Sequence, residues 1–154
     1  MGNKDKKNIM HVWTILCSNN TVDRQSNNIS LFNVIEQLKV NVPNSESKKN
    51  TKINTIFPSQ LVTLWKRSNL KDRSEIKAGV QVSFIGPDGV ELQNLKYDIK
   101  FPQENRRMRF IVDMKNILLS KTGEYYFVIS IKGAGDSGYE EVFRLPLEVH
   151  IVSD

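Results

Sequence analysis

The sequence holds one cysteine, Cys17, and two histidines, His11 and His150, among its 154 residues. A lone thiol excludes an internal disulfide framework and a multi-cysteine zinc site, and it suits a reducing compartment, so a cytoplasmic setting is expected. Long apolar runs are missing as well. Phe127-Val128-Ile129 and Ile117-Leu118-Leu119 fall far short of the ~20 residues that a membrane helix requires, so no membrane association is expected. With only 8 Gly and 5 Pro the chain is neither fibrous nor of low complexity. Its acidic residues do not cluster: Asp23, Asp72, Asp88, Asp98, Asp113 and Asp136 stand singly, and no loop offers the paired carboxylates that calcium prefers. The start, Met1-Gly2-Asn3-Lys4-Asp5-Lys6-Lys7-Asn8, is basic but lacks a secretion signal's cleavage site, and Lys6 stands where a myristoylation motif wants Ser or Thr.

What is present is the composition of an ordinary globular protein, 39% apolar and 25% charged. Its patterning has a period of two. Leu95, Tyr97, Ile99 and Phe101 alternate with Asn94, Lys96, Asp98 and Lys100, as in a strand with one face on a core and the other in water. The same alternation places Met108, Phe110, Val112 and Met114 on one face, then Tyr125, Phe127, Ile129 and Ile131, then Phe143, Leu145, Leu147, Val149 and Ile151. Gly86-Pro87-Asp88-Gly89 supplies a hairpin turn, with Pro to fix φ and Gly to take a positive one. Ile9 to Cys17 and Ile29 to Val42 are β-rich but apolar on both faces, as central or covered strands are. Leu61 to Trp65 is a further strand, and Met114 to Leu119 reads as a turn.

Ser18 to Asn28 and Asn44 to Asn54 read as long exposed loops, and Gly133 to Gly138 as a mobile hairpin connection. The fold class expected is all-β: an antiparallel β-sandwich, Ig-like or C2-like, of about eight strands. A flexible basic tail over 1–8 precedes one sandwich domain over 9–154. Pro146 within the last strand marks an edge or a bulge, where a partner strand has room to add. Gly123-Glu124-Tyr125 looks like the tyrosine corner that ties a sandwich loop to its neighbour.

The residues Ile9-Met10-His11-Val12-Trp13-Thr14-Ile15-Leu16-Cys17, the turn Val22-Asp23-Arg24-Gln25 and the stretch Ile29-Ser30-Leu31-Phe32-Asn33-Val34-Ile35 resemble an uncharacterised bacterial family of small β-sandwich proteins, known only as a domain of unknown function. Lys121-Thr122-Gly123-Glu124-Tyr125 and Leu145-Pro146-Leu147-Glu148-Val149 carry the resemblance to the end of the chain. It implies a sandwich fold and no activity, and no catalytic residue comes with it.

Sites of chemistry are sparse. Two separate histidines and one cysteine lack metal-ligand spacing, and Cys17 has no local signature of an activated nucleophile. Gly133-Ala134-Gly135-Asp136-Ser137-Gly138 precedes a strand and has no phosphate-reaching Lys. No catalytic, cofactor-binding or metal site is therefore expected, no cofactor and no small-molecule substrate. Trp13 and Trp65 read as core or interface anchors.

The outward-pointing property is charge: 22 Lys and Arg against 17 acids, net +5. Lys66, Arg67, Lys71 and Arg73 form one basic patch after Trp65, Arg106, Arg107 and Arg109 a second, and Lys48, Lys49 and Lys52 lie in a long loop. The leading expectation is a non-enzymatic interaction module that binds a protein partner or self-associates. The alternative is a nucleic-acid or polyanion binder that contacts phosphates through the patches at 65–73 and 106–109.

Overall fold

In the computed structural model, which describes residues 8–43 and 52–153, nine strands form two sheets among the described residues. They are β1 (Ile9–Val22), β2 (Ile29–Val34), β3 (Gln37–Val42), β4 (Ile53–Arg67), β5 (Ile76–Ile85), β6 (Glu91–Phe101), β7 (Arg107–Leu119), β8 (Gly123–Gly133) and β9 (Glu140–Ser153). The four-stranded sheet has the order β2-β1-β4-β7, and the five-stranded sheet β3-β9-β8-β5-β6. The protein is a β-sandwich, antiparallel throughout except where β3 runs parallel to β9.

The alternations read from the sequence supply the core between the sheets. Tyr125, Phe127, Ile129 and Ile131 of β8 are buried against Val80 and Val82 of β5, Ile99 and Phe101 of β6, and Leu147 and Val149 of β9. The facing sheet contributes Leu16, Leu61, Trp65, Ile117 and Leu119. Each such side chain taken fully out of water is worth roughly 1.5–3 kcal/mol. Gly89, with φ of 84°, closes the β5–β6 hairpin where the Gly-Pro-Asp-Gly turn was expected.

Several elements differ from the sequence reading, each for a tertiary reason. Ile29 to Val42 is not one central strand. It breaks at Ile35–Glu36 into β2 and β3, which lie at the edges of different sheets. Met114 to Leu119 is strand rather than turn: Ile117, Leu118 and Leu119 pair with Thr55, Asn54 and Ile53, so β7 runs the whole length of β4. Of the polar stretch Ser18 to Asn28, residues through Val22 are strand and only 23–28 is loop. Most of the segment 44–54, with Lys48 and Lys49, lies outside the described residues, as does the tail over 1–7.

Two local readings survive intact. β3 pairs with β9 only from Glu148 onward, so Glu140–Leu147 has β8 alone as neighbour, and Pro146 needs no ladder donor on its free side. Tyr125 is a tyrosine corner. Its hydroxyl accepts the backbone N–H groups of Ser120 and Lys121, both at 2.9 Å, and donates to the Lys121 carbonyl, fixing the crossing from β7 to β8. Tyr125→Phe leaves those two donors without their acceptor. The expected cost is about 1–3 kcal/mol, seen as a lower urea midpoint with an unchanged slope.

Candidate functional site

Strand β4 is apolar on both faces. Leu61 and Trp65 face the core, whereas Val62 and Leu64 face outward, and Val62 is nevertheless 0% exposed. What covers this outer face is the distal half of β1 with β2. If the β1–β2 hairpin ran straight on, its tip would lie at least roughly 17 Å beyond Cys17, at ~3.3 Å per residue over the five residues to Val22. Instead Arg109 of β7 donates to the backbone carbonyl of Asn27 at 2.8 Å and to its side-chain Oδ1 at 3.0 Å. Arg109 pairs with Leu64, which pairs with Trp13, so the hairpin tip sits four positions back along β1 from Cys17. The β1–β2 hairpin is thus a flap folded back over the outer face of the four-stranded sheet.

Side-chain amides hold its base. Asn20 Nδ2 donates to Gln60 Oε1, and Gln60 Nε2 donates to Asp113 Oδ1 at 3.0 Å, a chain that crosses β1, β4 and β7. The tip is a built turn: Asp23 Oδ1 accepts the N–H groups of Gln25 at 2.7 Å and Ser26 at 3.1 Å, bonds that hold its carboxyl below the usual range. Asn27 takes the left-handed conformation, φ 59°, that Asn tolerates better than other non-glycine residues.

A cleft of about 690 Å³ lies between this tip and β7, lined by Trp13 and Leu64, by the loop residues Ser26 to Asn28, and by Asn105, Arg107 and Arg109. Beside it Lys66 pairs directly with Arg107, and Met10 with Lys66. The structure therefore brings together the ends of two basic patches that lie forty residues apart in sequence. Like charges placed opposite one another on adjacent strands oppose folding. Among the described residues neither Lys66 nor Arg107 has an ion-pair partner.

The remaining members of the expected set do not join them. Arg67 is removed from it: the side chain is 2% exposed and points into the sandwich, donating through Nε to the Asn105 carbonyl and through Nη2 to that of Pro102 at 2.8 Å. Its position on β4, one residue on from outward-facing Lys66, puts it on the core face, where it braces the β6–β7 connection and lies 5.8 Å from the Phe101 ring centre. Arg73 is engaged with Glu104 at 3.2 Å, while Lys71 and Arg106 are exposed in the loops at that end. Trp13 and Asn27, which complete the cleft, carry no signal in the sequence that links them to β7. Only the fold-back of the flap does that.

The residues that a nucleophilic or metal site would have needed are kept apart. Cys17 is fully buried on the outer face of β1, burial pushes its thiol pKa up, and six residues, about 20 Å of strand, separate it from His11. His11 is walled in between Phe143, stacked at 4.8 Å, and Trp65, edge-on at 5.3 Å, with Nε2 2.6 Å from Thr14 Oγ1. His150 is exposed seven residues along β9 from Phe143. Among the described residues no group of three or more His, Cys, Asp or Glu is placed to hold a metal ion, and no helix is long and apolar enough to cross a membrane.

With this geometry in view, neither a family model nor a curated protein matches the chain. Among solved structures the chain is similar to the C-terminal domain of wzt, with a TM-score of 0.54 at 9% identity over 94% of this chain and 75% of that one. The soluble domain of PmoD from Methylocystis overlaps at a TM-score of 0.33 and 8% identity, over 92% and 97% of the two chains. The likeness to the first is one of fold.

Burial lowers the His11 pKa from 6.5, so between that lowered value and 6.5 the folded state binds fewer protons than the unfolded chain. The stability that neutral His11 contributes is fully present above about 6.5 and is lost as pH falls through it. The thermal midpoint is expected to drop between about pH 7 and about pH 5, and His11→Phe, which retains the stack on Phe143, is expected to remove most of that drop. A scanning-calorimetry series across this range measures it.

Proposed function

We propose that this chain is a non-catalytic interaction module that docks a protein partner, or a second copy of itself, on the outer face of its four-stranded sheet and flap. The observation that carries this reading is the distribution of exposed apolar side chains. Of the nine large apolar side chains at least 40% exposed among the described residues, six (Met10, Val12, Phe32, Val34, Ile56 and Ile111) belong to the four-stranded sheet or its flap, whereas Leu70 and Val90 lie between strands and Leu95 on β6. An apolar area gathered on one side of a domain is the ordinary mark of a contact surface.

The opposite face of the sandwich is of the other kind. There Lys100 and Lys77 share Glu75, at 3.2 and 3.7 Å, Lys96 and Lys132 lie over the Tyr139 ring, and Arg144 binds Glu141 at 2.8 Å. These charges are partnered within the chain and face water. A cytoplasmic setting belongs to the same reading and is supported by the single buried thiol.

Phe32→Ser with Ile111→Ser removes two exposed anchors and leaves the core untouched. If the face docks a protein, tagged wild-type chain sediments as a dimer or retains a nuclease-resistant protein from native lysate, and the double variant loses at least about tenfold in that affinity. Lys96→Ser on the far face serves as the control and is expected to bind as wild type. A monomer that recovers no protein, or a double variant that binds undiminished, overturns the proposal.

A further inference from the structure

We infer that the cleft between the flap tip and β7 is a binding site for a nucleotide unit, a phosphate joined to a flat ring. The argument starts from charge. Lys66, Arg107 and Arg109 are neighbours on one outer face, and no carboxylate lines the cleft they border. Three adjacent cations without an acid raise the folding free energy, and an anion is what relieves them. The far face of the same domain shows the contrast at Lys77, Lys100 and Arg144, neutralised by Glu75 and Glu141, and at Lys96 and Lys132, seated on the Tyr139 ring.

The shape and lining narrow the ligand. A volume of about 690 Å³ is in the range of small-molecule clefts. Two guanidinium groups suit a phosphate, whose oxygens accept paired N–H bonds in a planar fork. Arg109 spends Nη2 on Asn27, which fixes the group at the cleft's wall, whereas Arg107 is exposed and has no partner among the described residues. In the same register row as Arg109, Leu64 and then Trp13 form an apolar part of the lining, and an indole is a surface on which any nucleobase stacks. The amides of Asn27, Asn28 and Asn105 add donors and acceptors of the kind that base edges and sugar hydroxyls use. Lys66 lies beyond the cleft on the side of Met10, where the phosphate of a neighbouring nucleotide would fall.

Isothermal titration of the full chain with adenosine monophosphate and with a short single-stranded oligothymidylate, each at about 50 and about 200 mM salt, tests this and separates a free nucleotide from one held in a strand. Binding of the oligonucleotide alone, with affinity falling steeply with salt, assigns the site to single strands. Binding of the mononucleotide with equal affinity assigns it to the free ligand. In either case Arg107→Ser is expected to weaken binding at least tenfold and, in the strand case, to lower the salt slope by about one. Arg107 is exposed and makes no contact the fold needs, so this variant folds. Lys96→Ser, on the far face of the domain over the Tyr139 ring, is expected to leave affinity unchanged. Absence of binding to both probes, or undiminished binding by Arg107→Ser, overturns the inference.

Discussion

Strand β4 carries Leu61 and Trp65 on one face and Val62 and Leu64 on the other, and this two-sided apolarity is the constraint around which the molecule is arranged. A sandwich covers one face of each sheet. The inner face of β4 is served in that way, by the five-stranded sheet. The outer face needs a second cover, and the β1–β2 hairpin provides it by turning back and anchoring its tip through Arg109 and Asn27. Without the fold-back, Val62 and Leu64 would lie open beside Ile15 and Ile111, with which Val62 shares a register row.

The cover is incomplete, and its incompleteness defines the functional surfaces. Where the flap does not reach, Met10, Val12 and Ile111 remain exposed, and the flap adds Phe32 and Val34 on its own outer side. Where its tip arches over β7, the gap beneath is the cleft walled by Trp13 and the arginines. One structural solution to a packing problem therefore creates both an apolar docking face and a basic recess. These two use different forces: loss of water from apolar area in the first, and charge with ring stacking in the second. They can be separated by substitution.

The same alternation that sets the core decides which cations face outward. Lys66 and Arg67 are adjacent in sequence, yet β4 sends one to solvent and the other into the sandwich, where its guanidinium braces the carbonyls of Pro102 and Asn105. A basic run on a strand is thus two populations with different work, one electrostatic and one architectural. The likeness to the C-terminal domain of wzt, at a TM-score of 0.54, accords with a shared arrangement of sheets.

How much of this was legible in the sequence follows from the range of the forces involved. Alternation along β6, β8 and β9, the turn at Gly86–Gly89 and the corner at Tyr125 depend on residues within a few positions of one another, and these could be read directly. So could the all-β class. The split of residues 29–42 between two sheets, the strand character of Met114–Leu119 and the burial of Arg67 depend on partners thirty or more residues away, Leu119 on Ile53 and Arg67 on Pro102. The cleft is the extreme case. Its lining comes from β1, the flap tip, β4 and β7, and no periodicity announces that a hairpin will reverse over a sheet. The amino-acid sequence by itself determined that strands form and which of their faces are apolar. Tertiary structure alone decided which apolar faces found cover, because that depends on the geometry of distant segments meeting in space.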